Sequence, residues 1–190
     1  MGERGGMAVA KIKWGGWAID KKLYRYIRQT LPEGSTILEL GSGHGTNALA
    51  KHYTMYSVEH DLEWVDKYNS TYLYVPLKEH KAIKHHRYTR WYDAARLKEE
   101  LVGIKYDLLL VDGPPVTRSG FFKYMSLFDS NAVWIFDDSN RGPDLKVINS
   151  VCTKLDRPWV TYMCKDKTFS VIGSTLLSPF INEDKDDDRD

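Results

Sequence analysis

The run YDLLLVDG at residues 106–113 constrains this chain more than any other segment. Its apolar centre does not alternate with polar residues. A strand of that kind is buried on both faces, as strands are in a parallel sheet sandwiched between helices. Such a sheet needs crossover connections, and the rest of the sequence supplies them. STILEL (35–40), MYSVEHD (55–61), HHRYTR (85–90) and AVWIFDD (132–138) read as further strands. Between them, DKKLYRYIRQT (20–30, with Asp20 as a cap), TNALAKHY (46–53), LEWVDKYNS (62–70), ARLKEELVG (95–103), FFKYMSLFD (121–129) and LKVINSVCTKL (145–155) read as helices. Residues 71–84, which contain Pro76, fit neither pattern cleanly. WVTYM (159–163) and TFSVIGS (168–174) are separated only by CKDK and read as a hairpin.

Alternating strands and helices closed by a hairpin predict an α/β fold. The expected form is a Rossmann-like, seven-stranded, mostly parallel sheet with a C-terminal antiparallel hairpin and helices on both faces. One domain spans 17–178, between a flexible Gly- and Lys-rich segment (1–16) and an acidic, disordered tail (179–190). The 27 basic and 26 acidic residues of the chain conceal an asymmetry, because six acids crowd into the last nine positions. The remaining body is mildly basic but carries no contiguous Lys/Arg stripe, so a nucleic-acid partner is not expected. Two cysteines, Cys152 and Cys164, make no disulfide framework. No run of 18 apolar residues is present, so a membrane span is excluded. The N-terminus lacks a secretory apolar stretch, and Gly6 stands where a myristoylation signal has Ser or Thr. The expectation is a cytoplasmic protein, with aromatic surface enough for a homodimer.

The chemistry concentrates in Glu39-Leu40-Gly41-Ser42-Gly43-His44-Gly45-Thr46, which ends one strand and opens a helix. Glycines there allow a left-handed turn and close approach of backbone to a ligand. A tight structural turn is the alternative. The loop is neither a Walker A sequence nor G-x-G-x-x-G. Twenty residues after Glu39, Glu59 ends the next strand, at the distance of a ribose-binding acid. The pattern E-x-G-x-G-x-G with Glu59 resembles the cofactor site of class I S-adenosylmethionine-dependent methyltransferases, nearest to the small-molecule O-methyltransferases. The likeness extends over roughly residues 17–174.

That resemblance implies cofactor contacts from Glu39, Gly41, Ser42, Gly43, Gly45, Glu59, His60 and Asp112. Asp93 would accept the adenine amino group, with Trp91 and Tyr92 as an apolar wall. Asp93 could equally cap the following helix, and Trp91 could belong to the core. Trp14 and Trp17 suit a lid over the substrate. Asp112, Asp137 and Asp138 follow two neighbouring strands and resemble the acids that hold Mg²⁺ in metal-dependent O-methyltransferases. The alternative needs no metal: Asp112 alone acts as base or acceptor and Asp137 or Asp138 only caps the following turn, since 137 and 138 leave a strand on opposite sides. Asp112 and Asp138 are the candidate bases, and Arg118 and Arg141 could grip an anionic group. His85 and His86 make no metal pair. The expected activity is O-methylation of a small molecule such as a sugar or phenol. The alternatives are RNA or protein methylation, or a non-catalytic module that binds an adenosyl ligand.

Overall fold

The computed structural model describes residue 14 and residues 18–80, 90–115 and 118–173. The N-terminal segment up to residue 13, Trp17, the histidines at 85 and 86 and the acidic tail lie outside them. Among the described residues there are five α-helices: α1 (Lys21–Thr30), α2 (His44–Leu49), α3 (Ala94–Glu100), α4 (Ser119–Tyr124) and α5 (Gly142–Leu155). Nine strands accompany them: β1 (Thr36–Leu40), β2 (Thr54–Glu59), β3 (Thr71–Tyr74), β4 (Leu77–Glu79), β5 (Arg90–Tyr92), β6 (Leu108–Val111), β7 (Val133–Phe136), β8 (Trp159–Met163) and β9 (Thr168–Ile172).

Seven strands form one sheet in the order β3-β2-β1-β6-β7-β9-β8. The β3-β2-β1-β6-β7 run is parallel, while β9 lies antiparallel to both β7 and β8. The expected seven-stranded, mostly parallel sheet with its closing hairpin is therefore present.

Period-two alternation divides the core between the two faces. Ile37, Leu108, Leu110 and Ile135 pack with Leu23 and Ile27 of α1 and Leu49 of α2. Leu38, Leu109, Val111 and Phe136 pack with Leu97 of α3, Phe121 of α4 and Val147 and Val151 of α5. Phe121 is the hub of the second face, 4.9 Å from the Phe136 ring and 5.1 Å from Phe128. Helices thus cover both sides of the apolar run at 108–111, as its composition demanded.

Two expected elements differ. Residues 62–70 form successive turns rather than a helix. The Asp61 carboxylate takes the Glu63 amide at 3.0 Å, and Asp66 adopts a left-handed φ of 59°, which interrupts the helical ladder. The third parallel strand among the described residues is β3; of the strand expected at 85–90, all but Arg90 lies outside them. The TYLY sequence of β3 pairs with β2 in the register Tyr56↔Thr71 through Glu59↔Tyr74. Arg90 belongs instead to a separate two-stranded ribbon, β4–β5. β3 sits at the sheet edge with only Leu73 of its four residues buried, and so small a buried set weakens its pattern in the sequence.

Candidate active site

The site lies at the carboxyl ends of the parallel strands, where open α/β sheets leave a crevice for a ligand. A cleft of about 640 Å³ opens there. Gly41 and Ser42 after β1 line it, as do Glu59, His60, Asp61 and Trp64 after β2. Asp112, Gly113 and Pro115 after β6, with Asp138 and Arg141 after β7, complete the wall.

The glycine loop is braced from beneath. Glu39 is buried and accepts hydrogen bonds from Ser57 Oγ at 2.7 Å and Thr46 Oγ1 at 2.8 Å. Thr46 Oγ1 accepts in turn from the Gly43 amide at 3.0 Å. Burial pushes the Glu39 carboxyl up to about 8, against the pull of its two hydroxyl donors. Glu39 thus supports the loop from below and does not line the cleft. Gly41 takes φ +88°, and a Cβ there would stand 3.1 Å from the Gly113 Cα. Gly45 serves packing: a Cβ would strike the Ile19 side chain at 2.7 Å.

Glu59 faces the cleft from the end of β2. One carboxylate oxygen accepts the Ser42 amide at 2.9 Å, and the other accepts the amides of His60 at 2.6 Å and Asp61 at 2.9 Å. Burial raises its pKa, but the His60 side chain and these amides outweigh that and hold it below the usual carboxylate range. An ionised carboxylate is therefore fixed against the glycine loop.

The two aromatic residues expected beside an adenine pack into the core. Trp91 and Tyr92 are both buried in the core, with Trp91 edge-on to Phe121 and its ring beneath Gly120. Tyr92 Oη reaches the Val58 carbonyl at 3.4 Å. Asp93 caps α3 by accepting the Ala95 amide at 3.2 Å, and it pairs with Lys78 at 2.5 Å. The Lys78 ammonium holds its carboxyl below the usual range. Asp93, Trp91 and Tyr92 are absent from the residues lining the cleft, whereas His60 and Trp64 are among them. Trp64, which the sequence did not single out, has the Lys67 ammonium 3.8 Å from its ring centre.

The strand ends of β6 and β7 gather Asp112, Asp137 and Asp138, each with an oxygen within 4.8 Å of the others. Alternation alone would send Asp138 away, but its left-handed φ of 55° turns it back toward the cleft. Cations interleave these acids. Arg118, buried beneath the cleft, donates to the Asp112 carbonyl at 2.7 Å and to its carboxylate at 3.3 Å, and lies 3.2 Å from Asp144 and 3.6 Å from Asp138. It braces the acids rather than presenting itself to a ligand. Arg141 is half exposed, lines the cleft and pairs with Asp138 at 2.7 Å. Lys167, just before β9, donates to Asp137 at 2.5 Å. Burial, then the nearby Asp112, pushes the Asp137 carboxyl up to about 7. Sequence reasoning missed Lys167 and Asp144, which lie 30 and 26 residues along the chain from their partners Asp137 and Arg118.

A hard divalent ion suits this donor set. All three acids offer oxygen, and Asp137 Oδ1 is buried without a hydrogen-bond partner.

The sheet order, the antiparallel strand β9 and the glycine loop between β1 and α2 are together the fold of the class I S-adenosylmethionine-dependent methyltransferases. The MycE methyltransferase of the mycinamycin biosynthetic pathway, solved in complex with Mg, SAH and mycinamycin VI, matches with a TM-score of 0.50 at 14% identity. The match covers 85% of this chain and 50% of that one, so the chain spans about half the length of MycE. The precorrin-6y C5,15-methyltransferase of Geobacter metallireducens GS-15 matches with a TM-score of 0.53 at 8% identity, over 88% and 98% of the two chains. The ribosomal protein L11 methylase of Lactobacillus delbrueckii subsp. bulgaricus matches with a TM-score of 0.50 at 12% identity, over 81% and 77%. At these identities the likeness is one of fold. No protein-family model and no curated protein sequence matches the chain.

Proposed function

We propose that the chain is an S-adenosylmethionine-dependent methyltransferase acting on a hydroxyl of a small molecule. The observation that carries this reading is that one cleft joins two kinds of wall. On one side stand the Gly41–Ser42 backbone and the ionised Glu59. On the other stand Asp112, Asp138 and Arg141. The cleft's size is that of a small-ligand site. Bound there, S-adenosylmethionine supplies the methyl group, and a divalent ion held by Asp112, Asp137 and Asp138 would favour ionisation of an acceptor hydroxyl.

The chain's own residues do the rest. Glu59 accepts the two ribose hydroxyls through charge-assisted bonds, and the glycine loop lies along the remainder of the ligand. In the ion-free site Asp112 itself accepts the proton of the acceptor hydroxyl, while Arg118 fixes the Asp112 carbonyl and carboxylate. Burial, partly offset by Arg118 and Lys167, raises the pKa of Asp112, which makes it the better proton acceptor. Arg141 grips an anionic or oxygen-rich part of the acceptor, and alignment of nucleophile and methyl group supplies the remaining rate enhancement.

Calorimetry tests the reading. S-adenosylmethionine and S-adenosylhomocysteine bind in the micromolar range, about −8 kcal/mol at 1 μM. Glu59→Ala weakens both by about tenfold or more through loss of the ribose contacts. Binding of NADH by a folded protein that takes up neither adenosyl ligand would refute it.

A further inference from the structure

Lys167 stands inside the carboxylate group rather than beside it. Its ammonium lies 2.5 Å from Asp137 Oδ2 and 3.7 Å from Asp138 Oδ1, and its side chain is only 10% exposed. A further donation goes to the Ala18 carbonyl at 2.8 Å, in the buried stretch that leads into α1. A divalent ion needs carboxylate oxygens at about 2.1 Å, drawn from these same two acids. The local charges are also nearly balanced without an ion. With all four acids ionised, Asp112, Asp137, Asp138 and Asp144 face Arg118, Arg141 and Lys167, which leaves a single excess negative charge.

We propose that Lys167 is a resident cation of this group and that a divalent ion binds only by displacing it. Lys167 is thus a positioning residue that sets the ion affinity of the site, and it does so from the β8–β9 turn. Displacement also removes the donor from the Ala18 carbonyl, so ion binding loosens the backbone that enters α1. The inference rests on the reading of Asp112, Asp137 and Asp138 as an ion site.

Manganese titration of the full chain, followed by the paramagnetic resonance of free Mn²⁺, tests it. Wild type and Lys167→Arg bind Mn²⁺ weakly and alike. Lys167→Gln binds it about tenfold tighter or better, because one nearby positive charge is gone. Adding Asp112→Asn to Lys167→Gln abolishes that gain. In wild type, saturating Mg²⁺ raises the rate at which an amine-acetylating reagent modifies Lys167, read by mass spectrometry; this arm does not depend on how well a variant folds. Equal Mn²⁺ affinity in wild type and Lys167→Gln, or acetylation unchanged by Mg²⁺, overturns displacement and leaves the ion site standing. Weaker binding by Lys167→Gln also overturns it, since Lys167 would then be arranging the ligands. An absence of Mn²⁺ binding by every variant overturns the displacement and the ion site together. Wild type, Lys167→Arg and Lys167→Gln bind S-adenosylhomocysteine alike in each case, since Lys167 does not line the cleft, which separates the result from failure of the methyltransferase reading.

Discussion

Gly41 and Gly113 meet across the floor of the cleft, and their contact ties the β1 loop to the β6 loop. A Cβ on Gly113 would lie 2.7 Å from Tyr92 Oη and 2.9 Å from the Gly41 Cα. Backbone on one side and a buried ring on the other leave no room for relaxation. Gly113→Ala is therefore expected to cost about 1–3 kcal/mol of stability through overpacking. It should also weaken S-adenosylhomocysteine binding, because the Gly41–Ser42 backbone shifts with it. Urea denaturation and calorimetry measure the two effects, and wild-type values in both would mean that the loops do not press on each other. The glycines at 41, 43 and 45 were conspicuous in the sequence, yet their reasons differ. Gly41 is needed for its left-handed turn and Gly45 for the approach of Ile19, whereas Gly43 contributes only a main-chain amide to Thr46.

Short elements carry the site, and their ends matter more than their middles. α3 spans only Ala94–Glu100 and begins at Asp93, which caps it and pairs with Lys78 of β4. Replacing Asp93 by Ala removes the cap and the link to the β4–β5 ribbon, so the melting temperature falls. Affinity for S-adenosylhomocysteine stays within about twofold of wild type, since Asp93 lies outside the cleft. A large loss of affinity without loss of stability would return Asp93 to the adenine role that the family resemblance implied. The elements that were hardest to read from sequence are explained by where they sit. β3 is a partly exposed edge strand, and the turns at 62–70 are imposed by Asp61 and Asp66 against a helix-like composition. The central strands were plain because burial on both faces leaves an uninterrupted apolar run.

At the scale of the whole molecule, two buried carboxyls tie stability to pH. Glu39 is pushed up to about 8 and Asp137 to about 7, in both cases by burial first. A folded pKa above the unfolded value means that the native state holds the extra proton. The stabilising contribution is then complete below the unfolded carboxyl range, near pH 4, and is lost as pH rises through about 7 to 8. Stability should accordingly decline between pH 5 and pH 8, by at most about 1.4 kcal/mol per pH unit for each group. Glu39→Gln keeps an acceptor for Ser57 and Thr46 but cannot ionise, so it should flatten the decline. Denaturant titrations at three pH values across the window compare the two proteins. A slope equal to that of wild type would show that Glu39 is already ionised at neutral pH.

What the sequence by itself determined is local: the apolar run at 106–113, the glycine loop between β1 and α2, and the acids at the ends of three strands. Side-chain period and glycine geometry act over a few residues, so they are written where they operate. These features were enough to predict the sheet, its helical layers and the edge on which a ligand site opens. Partnership among charges was decided only in three dimensions. Parallel pairing of β6 with β7 sets Asp112 beside Asp137, and antiparallel pairing of β9 with β7 delivers Lys167 to both acids at 137 and 138. The same packing brings Asp144 to Arg118 and withdraws Trp91 and Tyr92 into the core. Electrostatic balance depends on distances of a few ångströms between residues tens of positions apart, and no window of sequence contains them.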